Sequence, residues 1–172
     1  MTLARFRSAY EQFLEAIVIV LMSAMAIEVT IGICYRAFGH SLAWYDEVAV
    51  ILLAWLAFYG SALAALKRAH IGFPGFVKSL PPRRRLVAVI AGKALVLGFL
   101  ALLGWIGFAV LDVLSTDYLI SLPDIPVAWT QSVIPISCVL FIVAELLNLP
   151  DTLRAARGLA TVEASDLAEG LH

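Results

Sequence analysis

The chain has 172 residues, of which 62% are hydrophobic and 15% charged, with a formal net charge of -1 and a mean hydropathy of +0.95. Soluble domains are typically about 45–50% apolar, so a water-soluble globular protein is excluded, and the near-zero charge gives no footing for a nucleic-acid partner. The two cysteines, Cys34 and Cys138, sit in or beside apolar runs without a C-x-x-C partner, which reads as buried small hydrophobes rather than a metal or redox pair.

Residues 1–12 are polar and carry Arg5 and Arg7; they form an N-terminal segment ahead of the first apolar run. That run, 13–35, is interrupted by Glu15 and Glu28. A secretory signal with cleavage after Ala24-Met25-Ala26 competes with a retained span, but the apolar stretch continues past that site to Tyr35, against the usual anatomy of a signal. A short connection with Arg36, Gly39 and His40 leads to the second span, 44–66. This span opens on Trp44-Tyr45-Asp46-Glu47, runs uncharged from Val48 to Leu66 and closes on Lys67, Arg68 and His70. An uncharged stretch of about 20 residues crosses a bilayer core as a helix. Trp and Tyr at one end and basic residues at the other suit the two interfaces. Ala57, Ser61 and Ala65 recur every four residues, with Gly60 and Ala64 beside them, a pattern that lets another helix approach closely.

Lys67 to Arg85 is the most basic stretch, with Phe73, Phe76, Val77 and Leu80 between its charges and prolines on either side. It fits either a short amphipathic helix on the membrane surface or an irregular polar loop. The third span, 86–111, has Lys93 as its only charge and four glycines, Gly92, Gly98, Gly104 and Gly107, so one face is expected against a helix. An acidic connection, 112–127, precedes the fourth span, 128–149, which holds Glu145 and Pro135; a kink at Pro135 is one that membrane helices tolerate when neighbours satisfy the freed carbonyl. Pro150-Asp151 is expected to end it, and 150–172 form a tail.

Lys and Arg concentrate at the N-terminus, in the 67–85 loop and at the start of the tail. The positive-inside rule then predicts an all-α integral membrane protein with four transmembrane helices and both termini cytoplasmic. Charges inside spans are functional candidates. At 1.5 Å per residue, Lys93 lies roughly 10 Å and Glu145 roughly 6 Å from the cytoplasmic end of their spans, so the spacing allows a buried pair or separate snorkelling. On the other side Arg36 is expected to bridge to Asp46 or Glu47. Glu28 has no basic residue at its level; it can carry protons or hydrogen-bond to a partner subunit, to Thr30 or to backbone. No Gly-rich phosphate loop, intramembrane histidine pair or ligand cluster is present, so neither an enzyme nor a bound cofactor or metal is expected.

Arg36, Trp44-x-x-Glu47, Trp55, Gly60-Ser61 and Arg68-x-His70-Ile71 stand in an order that resembles the small (Q-type, DctQ-like) membrane subunit of tripartite ATP-independent periplasmic (TRAP) transporters. Ile134-Pro135-Ile136 resembles a further segment of that family, and Ala69 departs from the Gly or polar residue common before the histidine. The resemblance implies a bacterial inner-membrane protein paired with a large membrane subunit and served by a periplasmic substrate-binding protein. Together these take up an organic acid, such as a C4-dicarboxylate or sialic acid, on an ion gradient, typically sodium. The implied role is to brace the large subunit. Interface and structural candidates are then Arg36, Trp44, Glu47, Trp55, Gly60, Ser61, Arg68, His70, Lys93 and Glu145. The alternative is an independent small exporter or channel that uses Glu28; a membrane redox protein ranks third.

Overall fold

The computed structural model describes residues 3–40, 42–69 and 81–157. They form five helices: α1 (Leu3–Ala37), α2 (Tyr45–Leu66), α3 (Pro82–Leu114), the short α4 (Val127–Gln131) and α5 (Val133–Ala156). Four stretches are long and apolar enough to cross a membrane: Arg5–Ala37, Tyr45–Leu66, Arg84–Leu114 and Val127–Ala156. The expected surface helix between the second and third spans, and His70 with it, lies outside the described residues.

Two helix boundaries differ from the sequence expectation, and a third break falls where a kink is expected. The polar N-terminal segment continues α1 instead of preceding it, because its side chains bond to other helices: Tyr10 donates its hydroxyl to the Leu140 carbonyl at 2.6 Å, and Arg7 reaches Asp151. At the other extreme, Pro150 does not end the last span; α5 runs through it to Ala156. The proline that does interrupt a helix is Pro135, and the interruption falls before it. A proline has no N–H and its ring crowds the carbonyl four residues back; that residue is Gln131, where α4 stops.

α1 packs on α2, α2 on α5, and α5 on α3. This order is an open row rather than a closed bundle, with α1 and α3 at its edges. Between α1, α2 and α5 lies a core of Leu14, Ala62, Ala65, Leu66 and Ala144, and further along are Leu21, Tyr59 and Val133. Two close approaches need glycine. A Cβ on Gly32 would fall 1.9 Å from the Tyr45 ring, and one on Gly107 would fall 2.9 Å from Ile134. Gly92 and Gly98, in contrast, face open space, so only the later part of the α3 glycine series serves packing on α5. Most of the large side chains of α3, Trp105 and Phe108 among them, are exposed, as expected for a surface that meets lipid or another protein. Cys34 is also exposed, against the expectation of burial; Cys138 is buried, and both are free thiols.

Candidate functional site

Polar side chains tie the row together at three depths. The first tie is at the end carrying Arg7 and Asp151. There α2 closes with Lys67 N–H bonding to Leu63 O, Arg68 N–H to Ala65 O and Ala69 N–H to Ala64 O. This hydrogen-bond pattern puts the residue after the cap into the left-handed region, a place that usually goes to glycine. α1 ends the same way with Gly39 at φ 77°, whereas α2 uses Arg68 at φ 55°. From that position the Arg68 guanidinium donates to Asp151 at 2.6 Å and to the Asn148 side-chain oxygen at 3.3 Å. Asn148, 2% exposed, turns its amide N–H groups onto Ala65 O and Leu66 O at 2.8 and 3.0 Å. One residue of α5 thus caps the carbonyls that end α2 and fixes the arginine beyond them. Arg7 of α1 joins at Asp151 at 3.3 Å. Lys67 pairs with Glu15, and with Glu11 at 3.6 Å; the bond to Glu15 holds its ammonium above the usual lysine range.

The second tie is an ion pair within the spans: Lys93 of α3 with Glu145 of α5. The Glu145 side chain is 10% exposed and that of Lys93 27%, so the pair is largely shielded. It joins the two helices whose close approach Gly104 and Gly107 permit.

The third tie is at the opposite end and differs from the expected hairpin salt bridge. Glu47 accepts from the backbone N–H of Ile120 at 3.1 Å and of Ser121 at 2.8 Å, and the Ser121 hydroxyl donates to Ala43 O. The connection after α3 folds back on itself, with Leu119 N–H bonded to Ile125 O and Val127 N–H to Asp117 O, and this presents both amides to the carboxylate. Charge-assisted bonds of this kind are about twice as strong as neutral ones. Arg36 is exposed in the last turn of α1, where its charge suits the helix dipole, and among the described residues it pairs with neither Asp46 nor Glu47. Trp44 is half-buried at the cap position of α2, its carbonyl taking the Val48 N–H. Trp55 donates its indole N–H to Thr130 O at 2.8 Å. That carbonyl adjoins the break enforced by Pro135, so the Trp55 and Ile134-Pro135-Ile136 motifs meet.

The Ala57, Ser61, Ala65 row divides. Ala65 is buried, whereas Ala57 and Ser61 are exposed; the close approach within the chain uses Ala62 and Ala65 instead. A Cβ at Gly60 would meet nothing within 4 Å. Ser61 bonds back to Ala57 O and lines a cleft of about 140 Å³ with Phe58, Leu100, Leu103, Ser137, Cys138 and Phe141. Glu28 is buried, and the Thr30 hydroxyl considered as its partner donates to Ala26 O instead. Sequence reading missed Asn148 and Asp151. The only signal was a polar residue inside the C-terminal end of an apolar span, one turn from Glu145. Among the described residues no group of three or more His, Cys, Asp or Glu is placed to hold a metal ion.

No curated relative matches the chain. A family model, that of the DctQ component of tripartite ATP-independent periplasmic transporters, matches residues 25–155. The match begins in the apolar part of α1 and takes in the second and third ties and the α2–α5 part of the first, from Trp44 and Glu47 to Asn148 and Asp151, while Arg7, Glu11 and Glu15 precede it. The chain is therefore a multi-pass membrane protein that belongs to the DctQ family, the small membrane component of TRAP transporters.

Proposed function

We propose that this subunit braces the large membrane subunit of its transporter in the bacterial inner membrane, with both termini cytoplasmic, while a periplasmic binding protein delivers an organic acid for uptake on an ion gradient. The observation that carries this reading is the open row of helices. Each neighbouring pair is tied by polar side chains, while broad apolar surfaces of α1 and α3 stay uncovered. Association in lipid depends on packing and on interhelical hydrogen bonds. Fixed helices with uncovered faces suit a static neighbour to a moving transport domain. Within the row, Ala57 and Ser61 are exposed, Ser61 beside an open cleft toward α3 and α5, and a Cβ at Gly60 would meet nothing within 4 Å, so this face of α2 is not closely packed by the chain's own helices.

The test is co-elution of the large subunit with this chain, followed by uptake of the organic acid in proteoliposomes. Ser61 is exposed in the chain itself, so Ser61→Leu is expected to leave the subunit's own unfolding midpoint unchanged and to lower co-elution and uptake together. Glu28→Gln is expected to keep ion-coupled uptake. Loss of ion coupling in a fully assembled Glu28→Gln complex would overturn the brace reading and favour direct participation of this chain in transport.

A further inference from the structure

Among the described residues, Glu28 is the buried charged side chain that none of the three ties uses. It is 6% exposed, and both carboxylate oxygens are enclosed without a hydrogen-bond partner among the described residues. It follows Leu14 and Leu21 at seven-residue spacing, on the stripe that α1 turns toward α2. Among the described residues no group donates to it or pairs with it. On α1, the Ser23 and Thr30 hydroxyls donate to backbone carbonyls of their own helix, and Arg36 is exposed two turns away. On α2, the helix packed against α1, Glu47 is taken by the Ile120 and Ser121 amides. Asp46, in the first turn of the same helix, carries the same charge as an ionised Glu28. The ring of Tyr45 lies over Gly32, one turn from Glu28 toward the helix end.

An ionised carboxylate enclosed in this way, with no counter-charge and no donor, is far costlier than a neutral acid and is removed by taking up a proton. We propose that Glu28 is a proton-binding site: as the carboxylic acid it lets α1 and α2 close at the Tyr45–Gly32 contact, and loss of its proton drives these helix ends apart. The step is a proton transfer alone. The carboxyl O–H bond breaks, its electron pair stays on oxygen, and the proton passes to solvent water at the Asp46 end. The carboxylate left behind then gains hydration only by separating the two helices. This inference concerns the α1–α2 contact within the chain and does not rest on the brace reading. If both hold, the stiffness of the brace at that end depends on pH.

The test uses the full chain in nanodiscs, with Cys34→Ser and Cys138→Ala removing the native thiols and spin labels placed through Phe38→Cys and Val50→Cys, both exposed positions. Infrared difference spectra of Glu28→Gln against the parent at neutral pH are expected to lose the carbonyl band of a protonated carboxyl group. As pH rises, the parent is expected to show a longer and broader inter-label distance, with the midpoint at which that band disappears. Glu28→Gln and Glu28→Leu are expected to hold the low-pH distance throughout, and Glu28→Leu to unfold at no lower temperature than the parent. The proposal is overturned by a carboxyl band that Glu28→Gln leaves in place. A distance independent of pH, or one that responds equally in parent and Glu28→Gln, overturns it as well. A destabilised Glu28→Leu would do the same, since it would mean that the carboxyl has a partner.

Discussion

Arg68 offers the sharpest test of how the α2 terminus is held. At φ 55° a residue with a Cβ carries roughly 1–2 kcal/mol of backbone cost that glycine avoids. Set against it are the guanidinium bonds to Asp151 and Asn148. The Arg68 and Asp151 side chains are 45% and 44% exposed, and ion pairs so open to solvent are worth about 0–1 kcal/mol. The two contributions nearly cancel. Arg68→Gly is therefore expected within about 0.5 kcal/mol of the parent, whereas Arg68→Ala keeps the strain, loses the pair and falls about 1 kcal/mol below Arg68→Gly. Asn148→Leu should be the most damaging of the set, because it takes the side-chain partner from Leu66 O at a buried helix end and leaves Ala65 O with the Arg68 N–H alone, at about 1–3 kcal/mol for the group left unsatisfied. The assay is reversible unfolding in detergent, followed by helical circular dichroism, for the three variants and the parent. Arg68→Gly less stable than Arg68→Ala would refute the assignment of Arg68 to a strained cap. Arg68→Gly as stable as the parent but poor at retaining the large subunit would show that the arginine is kept for register rather than for stability.

Two further outcomes follow from the packing of α3 on α5. Gly104→Ala places a Cβ 3.2 Å from Cys138 and Gly107→Ala one 2.9 Å from Ile134, so each is expected to lower stability by about 1–3 kcal/mol. Gly92→Ala and Gly98→Ala meet open space and are expected to hold or raise it by up to about 1 kcal/mol; four equal responses in a thermal scan would contradict the packing described. Lys93→Met and Glu145→Gln are each expected to cost up to about 3 kcal/mol, and the double variant less than their sum, since each single change strands a shielded charge. Additive losses in a double-mutant cycle would mean that the pair contributes no coupling.

The four spans are legible in the sequence because lipid imposes a length and an apolarity that a charge-free run displays directly. The Lys93–Glu145 level is legible for a related reason: helical rise is fixed, so distance from a span's end translates into depth. Helix ends are a different matter. Nothing in hydropathy says that residues 3–12 are helical, because their helix is held by Tyr10, Arg7 and Glu11 reaching across to α2 and α5. Nor does a proline's presence say whether it breaks a helix: Pro135 does so and Pro150 does not. The Glu47 site was read with the wrong partner, since Arg36 is close in sequence whereas the Ile120 and Ser121 amides are brought there by the folding back of a remote connection. The Ala57, Ser61, Ala65 spacing identifies a face but not its neighbour, and the chain's own helices take only part of it.

The open row also explains why polar residues carry so much of the order in so apolar a chain. In water, a row of four apolar helices would close into a bundle to hide its faces. In lipid that drive is absent, because the acyl chains are as apolar as leucine. Packing alone then distinguishes weakly between one arrangement of helices and another. A small set of polar contacts decides instead: Asn148 and Arg68 set α2 against α5, Lys67 with Glu11 and Glu15 sets α1 against α2, Lys93 with Glu145 sets α3 against α5, and Glu47 sets α2 against the connection leaving α3. An arrangement fixed in this way need not use up its apolar faces to hold itself together. The faces of α1 and α3 stay uncovered, as the proposed brace would require.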